Sequence, residues 1–138
     1  MRAPGMGLIV ALSCLHTVAH AQSPASSPAA ARFDGTYRLT SSARVSENYV
    51  AKGGQSAPCP ERPPGPLTIL RGAAHYTAAS GREVTGTVGT QGELVMRSAV
   101  PGQSRPNELD VDGRIDAAGT ARVRERGFSC SYDFVWQK

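Results

Sequence analysis

Few side chains in this sequence could carry out chemistry, and their spacing narrows what each could do. Past a 21-residue leader the chain keeps one histidine, His75, in "GAAHYTA". A Ser-His-Asp relay would have to use it. No Gly-x-Ser-x-Gly elbow occurs to present a serine to such a base, so His75 reads as a surface or half-buried histidine. Asp110, Asp112 and Asp116 in "DVDGRID" are the type of paired carboxylates used for hydrolytic acid/base work. Their even spacing puts all three on the outward face of one strand, where cross-strand arginines make them a solvated ion-pair face.

Two cysteines, Cys59 and Cys130, lie beyond the leader. In an exported chain a disulfide between them is the economical reading. Two free thiols or a shared metal are the alternatives, and no cluster of His, Cys or carboxylate ligands accompanies them. No cofactor motif is present either. Two further features resist a purely structural account. Arg114 and Arg122 are expected to face each other across a hairpin, like charge against like, which favours an anion or acidic partner between them. Glu125 falls on the inward face opposite Val111, so it is expected at a barrel rim or shifted outward by a bulge.

These residues sit on strands. "VTGTVGTQGELVM" (Val84 to Met96) and "VDGRIDAAGTARV" (Val111 to Val123) repeat one pattern 27 positions apart. Each reads as a hairpin with a three-residue loop closed by a glycine of positive φ, Gly92 or Gly119. That turn sets Val88 opposite Leu94 and Ile115 opposite Ala121. It also puts Gly86 and Gly113 on the inner face against Met96 and Val123, where glycine lets a sheet curl. In the same register Asp112 faces Arg124 and Asp110 faces Arg126. "FDGTYRLTSSARV" reads as an opening strand, and strands near Leu67–Arg71 and Ala74–Ala79 flank a turn at Arg71-Gly72. "FSCSYDFVWQK" alternates Phe128, Cys130, Tyr132, Phe134 and Trp136 against polar residues, which predicts a half-buried strand at the heart of the core.

The organisation follows. Residues 1–21 read as a secretory signal peptide: Arg2, the apolar run "LIVALSCLHTVA", and Ala-His-Ala before Gln22. Removal takes Arg2 alone from 15 basic residues, leaving 14 against 11 acidic. That mild excess gives no footing for nucleic-acid binding. Residues 22–32 read as a disordered Ser/Pro/Ala tether. Residues 33–138 form one β-domain, interrupted by a proline-rich loop over 48–66 whose five prolines surround Cys59. About eight antiparallel strands, with no helix after the leader, predict an all-β, up-and-down barrel, the alternative being a curled sandwich. Membrane insertion is excluded because outward positions carry Asp110, Asp112, Arg114, Arg122, Arg124 and Arg126 rather than an apolar band.

Gly35-Thr36-Tyr37 resembles the Gly-x-Trp that opens the first strand of lipocalins and avidins, with Tyr in place of Trp; the likeness implies a ligand-holding barrel. "FDGTY", the cysteine in a proline-rich loop, "LVMR", "GRIDAAGTARVR" and "CSYDFVWQK" resemble small secreted proteins of alphaproteobacteria. That second resemblance implies export and the cysteine pairing, and no activity. The sequence therefore points to a periplasmic or secreted, non-enzymatic binding module for a small molecule or an envelope or protein partner. The alternatives are an envelope hydrolase using His75 or a carboxylate pair, and a structural or inhibitor protein acting through its surface.

Overall fold

The computed structural model describes residues 28–51, 53–61, 63–98, 109–127 and 129–138. The leader and the first part of the tether lie outside them, as does Phe128. Eight strands close an antiparallel up-and-down barrel: β1 (Gly35–Arg44), β4 (Leu67–Leu70), β5 (Ala73–Thr77), β6 (Glu83–Val88), β7 (Glu93–Ser98), β8 (Leu109–Ile115), β9 (Thr120–Arg126) and β10 (Ser131–Gln137). Each strand pairs with its chain neighbour, and β1 closes the ring by pairing with both β4 and β10. Closure leaves no long free edge for another chain to join.

Both repeated hairpins form in the expected register. Val88 pairs with Leu94, Gly86 with Met96, Ile115 with Ala121 and Gly113 with Val123. Gly92 and Gly119 have φ of 87° and 79°, the left-handed region that glycine enters without steric cost. The inner glycines are required by close backbone approach: a Cβ on Gly86 would stand 2.5 Å from Met96 Cα, and one on Gly113 2.8 Å from Val123 Cα. The Arg71-Gly72 turn also forms, with both residues at positive φ. The Asp34 carboxylate accepts hydrogen bonds from both turn amides, at 2.8 and 3.2 Å.

The two ends of the barrel differ. Short turns gather at one end, and a helical turn, α1 (Pro28–Ala31), lies against it. Ala30 and Phe33 are buried there, and Cβ positions on Gly72 and Gly92 would meet Ala30 Cβ and the Phe33 ring at 3.3 and 3.1 Å. The sequence reading placed no helix here and ran the tether through Arg32. Alanine spacing carries no strand or helix period, and the helical turn is stabilised by burying Ala30, a tertiary gain. At the other end, the mouth, lies the proline-rich connection from β1 to β4.

The core is the lumen itself. Trp136, Tyr76, Tyr37 and Phe134 are fully buried in it with Leu67, Ile69 and Met96. The aromatic rings of β10 run along one wall: Tyr132 and Phe134 have centroids 5.8 Å apart, Phe134 and Trp136 5.3 Å, and Tyr76 adds a fourth ring 5.3 Å from Trp136. Rings at this spacing contribute beyond their buried area.

The proline-rich loop is more ordered than its composition suggests. It contains a two-stranded hairpin, β2 (Asn48–Val50) and β3 (Ser56–Pro58). Gly53 and Gly54 take the positive φ its turn needs, and Pro58 sits at the terminal pair, where a missing N–H costs little. The loop is fastened to the barrel by the Cys59–Cys130 disulfide, whose Cα atoms are 5.8 Å apart. The Tyr132 hydroxyl donates to Pro60 O at 2.9 Å and Trp136 Nε1 to Gly65 O at 3.1 Å. Arg44 adds an ion pair to Glu61 at 2.8 Å and a bond to Cys59 O at 3.3 Å.

Candidate functional site

The mouth of the barrel holds a cavity of about 530 Å³, within the ordinary range for small-molecule pockets, roughly 300–1,000 Å³. The sequence elements that build it are those that break the regular alternation. The β2–β3 hairpin contributes Tyr49, the proline-rich loop Pro60, and the β5–β6 connection Ala79, Ser80 and Arg82. The barrel wall contributes Leu109, Glu125 and Tyr132, and the disulfide contributes Cys130. The walls combine apolar surface with one carboxyl, Glu125, one guanidinium, Arg82, and two serines, Ser80 and Ser129.

That carboxyl corrects the sequence reading. Glu125 pairs with Val111 and Tyr132 in an unbroken register on both sides of β9, so no bulge turns it out. It is 3% exposed. The Tyr76 hydroxyl, from β5 across the lumen, donates to Glu125 Oε2 at 2.5 Å. Burial raises the Glu125 pKa above the ordinary carboxylate value, and the Tyr76 hydrogen bond only partly offsets this. The Tyr76 hydroxyl is itself raised, first by burial and then by the neighbouring Glu125 charge. Tyr132 is raised for the same two reasons, with Arg44 opposing. A carboxyl costs free energy to bury, and this one is tolerated because a hydroxyl from the opposite wall reaches it.

The other candidates lie elsewhere. His75 is on the outer face of β5, bonded to Glu83, which Thr77 also holds at 3.0 Å. The carboxylates of β8 face outward, with Asp112 opposite Arg124 and Asp110 opposite Arg126 as the register required. The ion pairs differ from that pairing: Arg126 reaches diagonally to Asp112, Arg97 on β7 pairs with the directly opposite Asp110 at 3.3 Å, and Arg124 forms a two-point pair with Asp133, directly opposite it on β10, at 2.7 and 2.8 Å. The long Arg126 side chain brings the diagonal partner within reach. Arg114 does stand opposite Arg122. Arg122, however, turns to Asp116 at 3.0 Å, so one of the two like charges is paired with a carboxylate of the same chain. Arg114 borders a groove at the closed end with Arg32 and Lys138, on which Asp116 also opens.

Among the described residues no group of three or more His, Cys, Asp or Glu is placed to hold a metal ion, and no helix is long and apolar enough to cross a membrane. No protein-family model, no curated protein and no solved structure matches the chain. The site therefore has to be read from its own chemistry.

Sequence reasoning placed Glu125 inward and missed its significance. Tyr76, its partner, gave no signal of its own: an inward tyrosine in an alternating strand is indistinguishable from any other core aromatic. Pro60, Ala79, Ser80 and Arg82 of the cavity wall come from loops, where no periodicity marks which side chains converge.

Proposed function

We propose that this chain is an exported, non-enzymatic binding module that takes a small, largely apolar ligand at the barrel mouth. The observation that carries this reading is the apolar mouth cavity with a single buried carboxyl at its wall. A few polar groups in an otherwise apolar recess is the usual make-up of a small-molecule site. The disulfide supports export to an oxidising compartment. The likeness of the first strand to ligand-holding barrels points the same way.

A hydrolase has less support. His75 is on the outside, paired to Glu83, and the carboxylate series of β8 is engaged by arginines on the solvated face. Glu125 is the one carboxyl that borders the mouth cavity among the described residues, while glycosidic acid/base work uses two. An inhibitor acting through the surface would use the outer charged face and would not need the cavity.

The deciding experiment is native mass spectrometry of the protein exported from its own cell type, paired with saturable binding of an apolar fluorescent probe. A retained mass, or a probe displaced by the Ala79→Trp variant that fills the cavity, supports the reading. An empty protein that binds no probe overturns it and moves the function to the outer surface.

A further inference from the structure

We propose that the mouth cavity selects a small organic monocation, a protonated amine on a flat apolar body, with Glu125 as the counter-charge; this rests on reading the cavity as a binding site. Two observations point to a cation, and a third limits its charge. The Glu125 carboxyl is buried, borders the cavity and receives a hydrogen bond from a neutral donor, the Tyr76 hydroxyl. The Tyr76 hydroxyl is a neutral partner, so a positive charge arriving in the cavity supplies an ionic pairing that this hydrogen bond does not.

Two tyrosine rings, Tyr49 and Tyr132, form part of the same wall. Aromatic faces attract cations, more strongly when the ion is desolvated. Leu109 and Pro60 supply apolar surface for the body of the ligand. The third observation limits the charge. Arg82 also borders the cavity, so a second positive group on the ligand would meet like charge, and a monocation fits best. An anion would meet the Glu125 carboxyl in the same cavity, a cost that Arg82 offsets only in part. A neutral apolar ligand would leave the carboxyl desolvated with Tyr76 as its one donor, which is the costly arrangement.

The experiment compares three probes that share one ring system: naphthylmethylamine, naphthylmethanol and naphthoate. Each is titrated into the intact disulfide-bonded protein by calorimetry at about pH 7.5 and low salt. A charge-assisted hydrogen bond in a buried site is expected to make the amine at least about tenfold tighter than the alcohol. Naphthoate is expected not to bind. Amide resonances of Ser80, Gly127 and Ser129, which border the cavity, are expected to move with the amine. Glu125→Gln is expected to bring amine and alcohol to the same affinity. Alcohol binding as tightly as amine, or naphthoate binding at all, overturns the cation inference and leaves the cavity reading standing. Failure of all three probes to bind overturns both. If Glu125→Gln does not fold, the probe series and the amide shifts on the wild-type protein still decide.

Discussion

Removing the disulfide with Cys59→Ala and Cys130→Ala should lower stability by about 4–5 kcal/mol. The magnitude follows from the loop that the bond closes. The cysteines are 71 positions apart, and the chain-entropy relation gives about 4.4 kcal/mol at 25 °C for a loop of that length. Alanine leaves a small gap at Cys59, which is buried in the core, adding of the order of a further half kilocalorie. The native state should survive, because the loop has other fastenings: Cys59 N to Glu47 O at 2.9 Å, Tyr132 to Pro60, Trp136 to Gly65 and the Arg44–Glu61 pair. The loss is thus expected in the unfolded ensemble, which gains freedom. Urea unfolding followed by Trp136 fluorescence measures it. With m of about 1–3 kcal/mol/M the midpoint should fall by about 1.5–4 M, and m should rise because the uncrosslinked chain exposes more surface. For a domain with a total of roughly 5–15 kcal/mol this is a large share. A midpoint within about 0.3 M of wild type would refute the loop-closure argument, since it would mean that the unfolded chain holds the two segments together without the bond.

Three other outcomes can be checked on the same protein. Gly86→Ala and Gly113→Ala should each destabilise by about 3 kcal/mol or more, at the upper end for overpacking, because the added methyl meets backbone of the partner strand rather than a movable side chain; a thermal melt within a degree or two of wild type would contradict the pairing. Glu125 has its pKa raised by burial, so its contribution to stability is fully present below the ordinary carboxylate value of 4.5 and is lost as pH rises through the folded value. Glu125→Gln, which keeps an acceptor for Tyr76, should therefore gain stability relative to wild type as pH rises above the ordinary carboxylate value, with Tyr76, Tyr132, Arg44 and Arg82 unchanged around it; a difference that stays flat as pH rises would refute the burial of an ionisable group. His75→Ala should change stability by no more than about 0.5 kcal/mol, as for other exposed pairs, and should leave probe binding at the mouth unaltered, as read by fluorescence titration.

The eight strands, the hairpin registers and the cysteine pairing were legible because each is written locally or by elimination. A period of two identifies a half-buried strand, a glycine at the loop end identifies the turn, and the turn then dictates every cross-strand pair from Val88–Leu94 to Ile115–Ala121. The helical turn at Pro28–Ala31 and the β2–β3 hairpin were not legible. Both are short segments stabilised by what they pack against, Gly72 and Gly92 in one case and the disulfide-anchored loop in the other. The Arg126–Asp112 pair was not legible for a related reason: register gives opposed Cα atoms, while side-chain reach chooses the partner.

Glu125 shows where the alternating pattern stops being informative. The period of two places its side chain on the inner face, and the register confirms it opposite Val111. Whether an inward carboxyl meets water depends on its depth below the rim, and depth depends on how the barrel closes. Here β1 meets β4 over three residue pairs, Gly35–Ile69, Thr36–Thr68 and Tyr37–Leu67, and it slips past β10 at a bulge between Leu39 and Ser41. Stagger of this kind sets which strand ends lie level around a barrel. It brings Tyr76, 49 positions away in sequence, across the lumen to Glu125. A buried acid next to an open cavity is thus a product of global closure acting on a locally ordinary strand.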